Sequence, residues 1–189
     1  MNPISLRRVA WVLASAGMVA VAAAGEAPAP ALDVAKSKVS ATFKQEGVPV
    51  EAPFGKFSGS ISYDPKNVAA ATALVEVETA SLDIGEEAYN AEVRKPAWFD
   101  TAKHPKASFR STAIKATSPT SFTATGTLTV KGRVLTINVP VTVKTTAGTT
   151  AFDGAYNFSR KAFGVGDPIW DDVLEDQVVV KFHLVSVAR

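Results

Sequence analysis

Polar and apolar residues alternate with a period of two along most of the chain beyond residue 37, the signature of half-buried β-strands. The cleanest run is Val134–Lys144. Leu135, Ile137, Val139, Val141 and Val143 share one face, and Thr136, Asn138, Pro140, Thr142 and Lys144 share the other. Pro140 has no amide donor and marks an edge, a bulge or a loosely paired point. The same alternation recurs in runs led by Val39, Ala41 and Phe43; by Phe57, Gly59, Ile61 and Tyr63; by Ala73, Val75, Val77 and Thr79; and by Phe109 and Ser111. It returns with Phe122, Ala124, Gly126, Leu128 and Val130; with Phe152, Gly154, Tyr156 and Phe158; and with Val178, Val180, Phe182 and Leu184. The pattern predicts eight strands. Turn residues at Asp64–Asn67, Thr117–Pro119, Lys131–Gly132 and Ala147–Gly148 separate them, and the short connections predict antiparallel neighbours.

One stretch breaks the period. Glu86–Arg94 has helix formers with acidic residues first and an arginine last, as the helix dipole prefers. Pro96 then stops it. This predicts one short helix between strands three and four, placed to cover a barrel mouth. Gly164–Asp176 reads as an irregular loop carrying Pro168, Ile169 and Trp170. The fold class is therefore all-β: eight mainly antiparallel strands, each with one apolar face, forming a sandwich or a closed barrel that removes exposed edges. The opposite face carries Lys, Glu, Asp and Thr rather than a lipid-facing band, so the apolar face reads as interior and not as the outside of a membrane barrel.

The N-terminus has a different logic. Arg7 and Arg8 precede an uncharged apolar run, Val9–Ala23, which ends in Ala22-Ala23-Ala24, an A-x-A cleavage pattern. The run is shorter than the roughly 20 residues a spanning helix needs. It reads as a cleaved secretory signal peptide, which implies a periplasmic location. The chain then divides into a signal peptide (1–24), a flexible leader (25–31) and one barrel domain (32–189). The mature protein has no stable membrane span on this reading.

Composition narrows the chemistry. The 189 residues carry 20 basic and 18 acidic side chains and no cysteine. Cleavage removes Arg7 and Arg8, so the mature chain has 18 of each sign. A nucleic-acid partner wants a basic stripe, and none is present. The lack of cysteine excludes disulfides, thiolate metal sites and thiol nucleophiles. The two histidines, His104 and His183, are far apart. Ser58 lies in a strand and not in a nucleophile elbow. No catalytic, metal or cofactor site is expected.

The interior is the informative feature. Ala41, Gly59, Ala73, Ser111, Ala124, Gly126 and Gly154 stand on the inward face among Phe and Val. Two readings stay open: a collapsed core with glycines at strand bends, or an apolar cavity. Eight strands is the size at which a barrel is either filled by side chains or holds one small ligand. The Val134–Lys144 strand, at about 3.3 Å per residue, runs roughly 36 Å. Tilted by about 40°, it stands about 27 Å tall, a space suited to a long chain.

Several segments in order resemble the YceI-like family of periplasmic polyisoprenoid-binding proteins. They are Gly55-Lys56-Phe57-Ser58-Gly59 through Tyr63-Asp64-Pro65; Thr79-Ala80-Ser81-Leu82-Asp83-Ile84-Gly85; Trp98-Phe99-Asp100 with His104-Pro105-Lys106-Ala107-Ser108-Phe109; Gly126–Gly132; and Arg160–Gly166. Where many members open with a histidine-containing strand, this chain has Lys36–Phe43, and Glu46–Pro53 reads as an inserted hairpin. The resemblance implies a lipocalin-like barrel that binds a polyisoprenoid or other long-chain amphiphilic lipid. A scavenger of hydrophobic small molecules or drugs, and a filled barrel acting through its surface, are the competing readings.

Position on the strands then assigns candidate lipid-binding residues. The wall comprises Phe43, Phe57, Ile61, Val75, Val77, Phe109, Phe122, Leu128, Leu135, Ile137, Val139, Phe152, Tyr156, Phe158, Val180, Phe182 and Leu184. Trp98, Phe99 and Trp170 stand beside loops and are expected at the entrance. Arg94 and Arg160 are candidates for a phosphate-bearing head group, since a guanidinium fork suits it. An ion pair with Asp100 or Asp83 is their alternative role.

Overall fold

A computed structural model describes residues 29–187, with the side chain of Val187 left aside. The expected signal peptide and leader residues 25–28 lie outside the described residues. The strands are β1 (Lys38–Gln45), β2 (Val48–Pro53), β3 (Phe57–Ser62), β4 (Thr72–Glu78), β5 (Lys106–Ser118), β6 (Ser121–Val130), β7 (Arg133–Thr146), β8 (Thr149–Ser159) and β9 (Gln177–Val187). They form one antiparallel sheet in the order β2-β1-β9-β8-β7-β6-β5-β4-β3. The one α-helix among the described residues, α1 (Glu87–Val93), joins β4 to β5.

The sheet therefore has nine strands where the alternation predicts eight. The additional strand is β2, which lies in the segment read as an inserted hairpin. Pro49 and Pro53 hide it, but proline is tolerated at a sheet edge, and β2 is the edge that pairs only with β1. Its turn has two residues, Glu46 and Gly47, both at positive φ (51° and 79°), the geometry a tight hairpin needs. The count also moves α1 to between the fourth and fifth strands.

The sheet curls until its ends approach, but its edge strands β2 and β3 do not pair with each other. Isolated bonds stitch the seam instead. The Ile61 amide donates to Pro30 O (3.0 Å), Leu32 N to Gly59 O (3.1 Å) and Asp33 N to Val185 O (2.7 Å). Residues Pro30–Asp33 thus strap β3 to β9. Pro30 and Ala31, placed by the sequence in the leader, belong to this strap. Nearby, Phe54 bridges Leu82, and Asp83 N donates to Pro53 O (2.9 Å). These contacts occupy edge groups that would otherwise template aggregation.

Register decides which side chains face inward. In β7, Ile137, Val139, Val141 and Val143 are buried and their neighbours exposed. Opposite them stand Gly126, Ala124 and Phe122 of β6, paired with Ile137, Val139 and Val141. The β7–β8 ladder stops at Val141–Gly154, one residue from Pro140, the loosely paired point that proline demands. In β5 the pairing shifts between Ser111 and Ala113. This bulge reverses the phase, so Phe109 packs on the core before it and Ile114 after it. The phase reversal conceals the second half of β5 from a period-two reading.

Candidate ligand-binding cavity

The inward faces of the curled sheet enclose a cavity of about 410 Å³, within the range of small-molecule sites. One end, below the β5–β6 and β7–β8 turns, is packed by aromatic rings. Tyr63 stands 5.4 Å from Phe152, edge to face, and 6.1 Å from Phe122, while Phe122 and Phe152 are 6.4 Å apart. The wall above them comes from almost every strand. Ile61, Val75, Val77, Phe109, Leu128, Ile137 and Val139 line it, as do Tyr156, Phe158, Val180, Phe182 and Leu184 on the opposite side and Phe43 from β1.

The glycines do not themselves make the space. A Cβ built on Gly126 would lie 2.6 Å from the Phe109 ring, and one on Gly154 would lie 2.4 Å from the Phe182 ring. Each glycine seats a phenylalanine of the neighbouring strand. The cavity is what remains after those rings are placed, so the barrel is neither collapsed nor filled.

The other end is the mouth, covered by α1 and two loops. Asn90, buried on α1, fixes the helix. Its Oδ1 accepts the Ile84 amide (2.8 Å), and its Nδ2 donates to Asp83 Oδ1 (3.0 Å), which also accepts Gly85 N (2.9 Å). These donors hold the Asp83 carboxyl below its ordinary pKa, Asn90 contributing most. Trp98 is buried behind the helix and donates through Nε1 to Glu92 Oε1 at 3.3 Å. Lys131, at the β6–β7 turn, ties both loops together by donating to Ala97 O (3.1 Å) and Gly164 O (2.6 Å). Its partial burial lowers the lysine's pKa.

Trp98, Phe99 and Trp170 all border the cavity. Three other expected residues do not join the lining. Leu135 is 40% exposed, because β7 extends past the rim. Phe57 lies at the wall's edge in a shallow separate groove with Val34, Lys56 and Lys106. Arg94 caps the C-terminus of α1, where its guanidinium donates to Glu87 Oε1 (3.1 Å) and Ala80 O (3.3 Å), outside the cavity.

Arg160 does border the cavity, but as a buried staple rather than a free cation. It is 4% exposed. It donates to Asp171 Oδ1 (2.7 Å), Leu174 O (3.1 Å), Val165 O (3.2 Å) and Glu175 O (3.2 Å). Its partner is Asp171 and not Asp100 or Asp83. Hydrogen bonds from Lys161 first and Arg160 second keep Asp171 below the usual carboxylate range.

The lining also includes residues the wall assignment omits. Val39, Ala41, Val130, Val141 and Val178 follow the same alternation and were legible in it. Phe54, Leu82, Ile84, Val165 and Leu174 arrive from loops, and Gln45, Glu86, Tyr89, Glu92 and Glu175 supply a polar rim. Glu86, Tyr89 and Glu92 recur every third residue at the expected helix and Gln45 continues the β1 alternation, whereas no local period marks the loop residues. The two histidines stand apart from the cavity lining: His183 Nδ1 pairs with Asp153 on the outer face at 2.6 Å, and His104 packs beneath Gly132.

Comparison with known proteins agrees with this architecture. A family model described as the YceI-like domain matches residues 31–186. The crystal structure of Burkholderia cenocepacia BcnA is 42% identical, with a TM-score of 0.80, and the match covers 82% of this chain and 99% of that one. A polyisoprenoid binding domain from Saccharophagus degradans shares the fold at 19% identity and a TM-score of 0.70, over 85% of this chain and 99% of that one. A UPF0312 protein of Vibrio cholerae is 27% identical over 131 residues, 68% of this chain and 69% of that protein.

Proposed function

The chain belongs to the YceI-like family, and from that membership and the cavity we propose that it is a non-catalytic carrier of a polyisoprenoid or other long-chain amphiphilic lipid. The observation that carries this reading is the lining itself. Apolar side chains from nearly every strand surround the space, and the charged groups that border it, Glu86, Glu92, Glu175 and Arg160, stand at the end that α1 covers. An elongated apolar chain with a polar tip matches that distribution better than a compact polar substrate. The S. degradans polyisoprenoid binding domain, alike in fold, supports the choice of ligand class. The carrier works in the periplasm, exported by the apolar N-terminal segment and released by cleavage after Ala24. Among the described residues, no helix is long and apolar enough to cross a membrane.

The wall residues hold the chain by removing it from water, at about 0.8 kcal/mol per buried CH₂. Affinity for a series of prenols should therefore climb with length until the cavity is full, with a negative heat-capacity change on binding. Native mass spectrometry of the gently purified protein should show a long-chain adduct. Affinity that stays flat across the series would sink the proposal.

A further inference from the structure

Large apolar side chains open to solvent gather at one end of the barrel. Among the described residues six are exposed: Val34, Val48, Tyr89, Val134, Leu135 and Ile169. All but Val34 belong to the mouth. Val48 follows the β1–β2 turn, which bonds to the loop before β9 through Glu46 N to Val173 O (2.8 Å). Val134 and Leu135 follow the β6–β7 turn, Tyr89 stands on α1, and Ile169, 78% exposed, lies in the loop between β8 and β9. The β3–β4, β5–β6 and β7–β8 turns of the opposite end carry no exposed large apolar residue.

Single exposed apolar residues are ordinary on a protein surface, but these share one rim and do not form one patch. In sheet order they come from β2, from the β8–β9 loop, from β7 and from the helix between β4 and β5, so they encircle the opening. A protein partner seats a contiguous, well-packed core of apolar contacts. A ring around an opening fits a flat, fluid surface instead, and tyrosine is at home at a membrane–water interface. The ring also surrounds the entrance to an apolar cavity, so a bilayer laid against it gives a lipid chain a path that avoids water. Charge narrows the surface further. In the mouth segments 44–48, 82–104, 131–135 and 160–176, 11 acidic side chains face 8 basic ones. That excess does not attract an anionic membrane, so apolar insertion must supply the attachment.

We propose that the mouth end docks reversibly on an electrically neutral phospholipid bilayer, with Val48, Tyr89, Val134, Leu135 and Ile169 entering the interface, and that cargo is exchanged through this contact. The docking rests on the lipid-carrier reading and specifies the surface at which the carrier loads.

The test uses vesicles of phosphatidylcholine, alone and mixed with phosphatidylglycerol, in co-flotation with the purified protein. The parent should bind the neutral vesicles at least as well as the mixed ones, and added salt should not release it. The triple change Val48→Ser, Val134→Ser and Ile169→Ser involves residues outside the cavity lining. It should weaken vesicle binding about tenfold or more and slow the uptake of vesicle-borne geranylgeraniol. Its melting temperature and its equilibrium affinity for geranylgeraniol added without vesicles should match the parent's. Ile169→Ser alone should weaken vesicle binding about threefold. A parent protein that binds geranylgeraniol but stays off neutral vesicles overturns the docking and leaves the carrier reading in place. So does attachment that needs phosphatidylglycerol and is lost in salt, or a triple variant that binds vesicles like the parent. A parent dimer that the triple change turns into a monomer, with no vesicle binding by either, assigns the ring to a second copy of the chain and likewise overturns the docking. If the parent takes up no geranylgeraniol with or without vesicles, the carrier reading fails and the docking falls with it.

Discussion

The ring of Phe109 lies directly over Gly126 of the adjacent strand. A Cβ at position 126 would meet the ring at 2.6 Å and the Arg110 carbonyl oxygen at 2.4 Å. The carbonyl cannot yield, and the ring can move only toward the cavity it lines. Gly126→Ala should therefore lower stability by about 1–3 kcal/mol, as overpacking does, and also weaken ligand binding. Urea unfolding and prenol titration of the one variant check both effects. A variant with unchanged stability would mean that β5 and β6 separate more easily than their extended register suggests.

The Arg160–Asp171 pair makes a prediction on the acid side. Asp171 has a depressed folded pKa, held down by Lys161 and then Arg160. A depressed carboxyl contributes stability that is present above its unfolded value of about 3.9 and lost as the pH falls through the lower, folded value. Asp171→Asn should thus be less stable than the parent near neutrality, and the two curves should converge at strongly acidic pH. Parallel curves across that range would remove Asp171 from the acid limb. Arg160→Ala is a harsher change. It leaves the carbonyls of Val165, Leu174 and Glu175 without a donor and should cost about 3 kcal/mol or more.

Period-two alternation made most of the cavity wall legible, because a curled sheet turns one face of every strand inward. Ile137, Val139 and Ile61 need no tertiary knowledge to be placed. Leu135 shares the same face but lies beyond the rim, and alternation carries no information on where a cavity ends. Arg94 and Arg160 looked alike in sequence. One is a helix cap and the other a buried staple, and the difference depends on a loop 11 residues away that supplies Asp171. Glu86 and Glu92 border the mouth on the helix that the sequence places there, whereas Glu175 arrives from the loop before β9, whose path no local pattern marks.

The strap at the seam has its own consequence. Leu32 is 8% exposed, and its Cδ1 lies 3.0 Å from where a Gly59 Cβ would stand. The leucine packs into the space the glycine leaves, while its amide bonds to Gly59 O. Leu32→Ala should cost about 2–4 kcal/mol. It should also speed amide exchange at Ile61 and Asp33 before the β6 and β7 amides respond. Exchange that accelerates uniformly would show that the seam opens only with the whole sheet.

Ala124 and Thr125 of β6 test the register and the cavity together. Ala124 is 3% exposed, lines the cavity and pairs with Val139. Thr125 points the other way and hydrogen-bonds Asn138 on the outer face at 2.6 Å. Ala124→Trp places an indole where the lipid chain should lie. Because about 410 Å³ is open there, the ring has somewhere to go, and the cost should stay at or below the roughly 1–3 kcal/mol typical of an overpacked core. Ligand binding should be lost at the same time. Thr125→Trp gives up one exposed hydrogen bond and should leave binding nearly unchanged. Melting temperature and bound lipid, measured on both variants, separate the alternatives. Binding lost only in Thr125→Trp would mean that the strand faces the other way. Unimpaired binding in Ala124→Trp would place the lipid outside this cavity altogether.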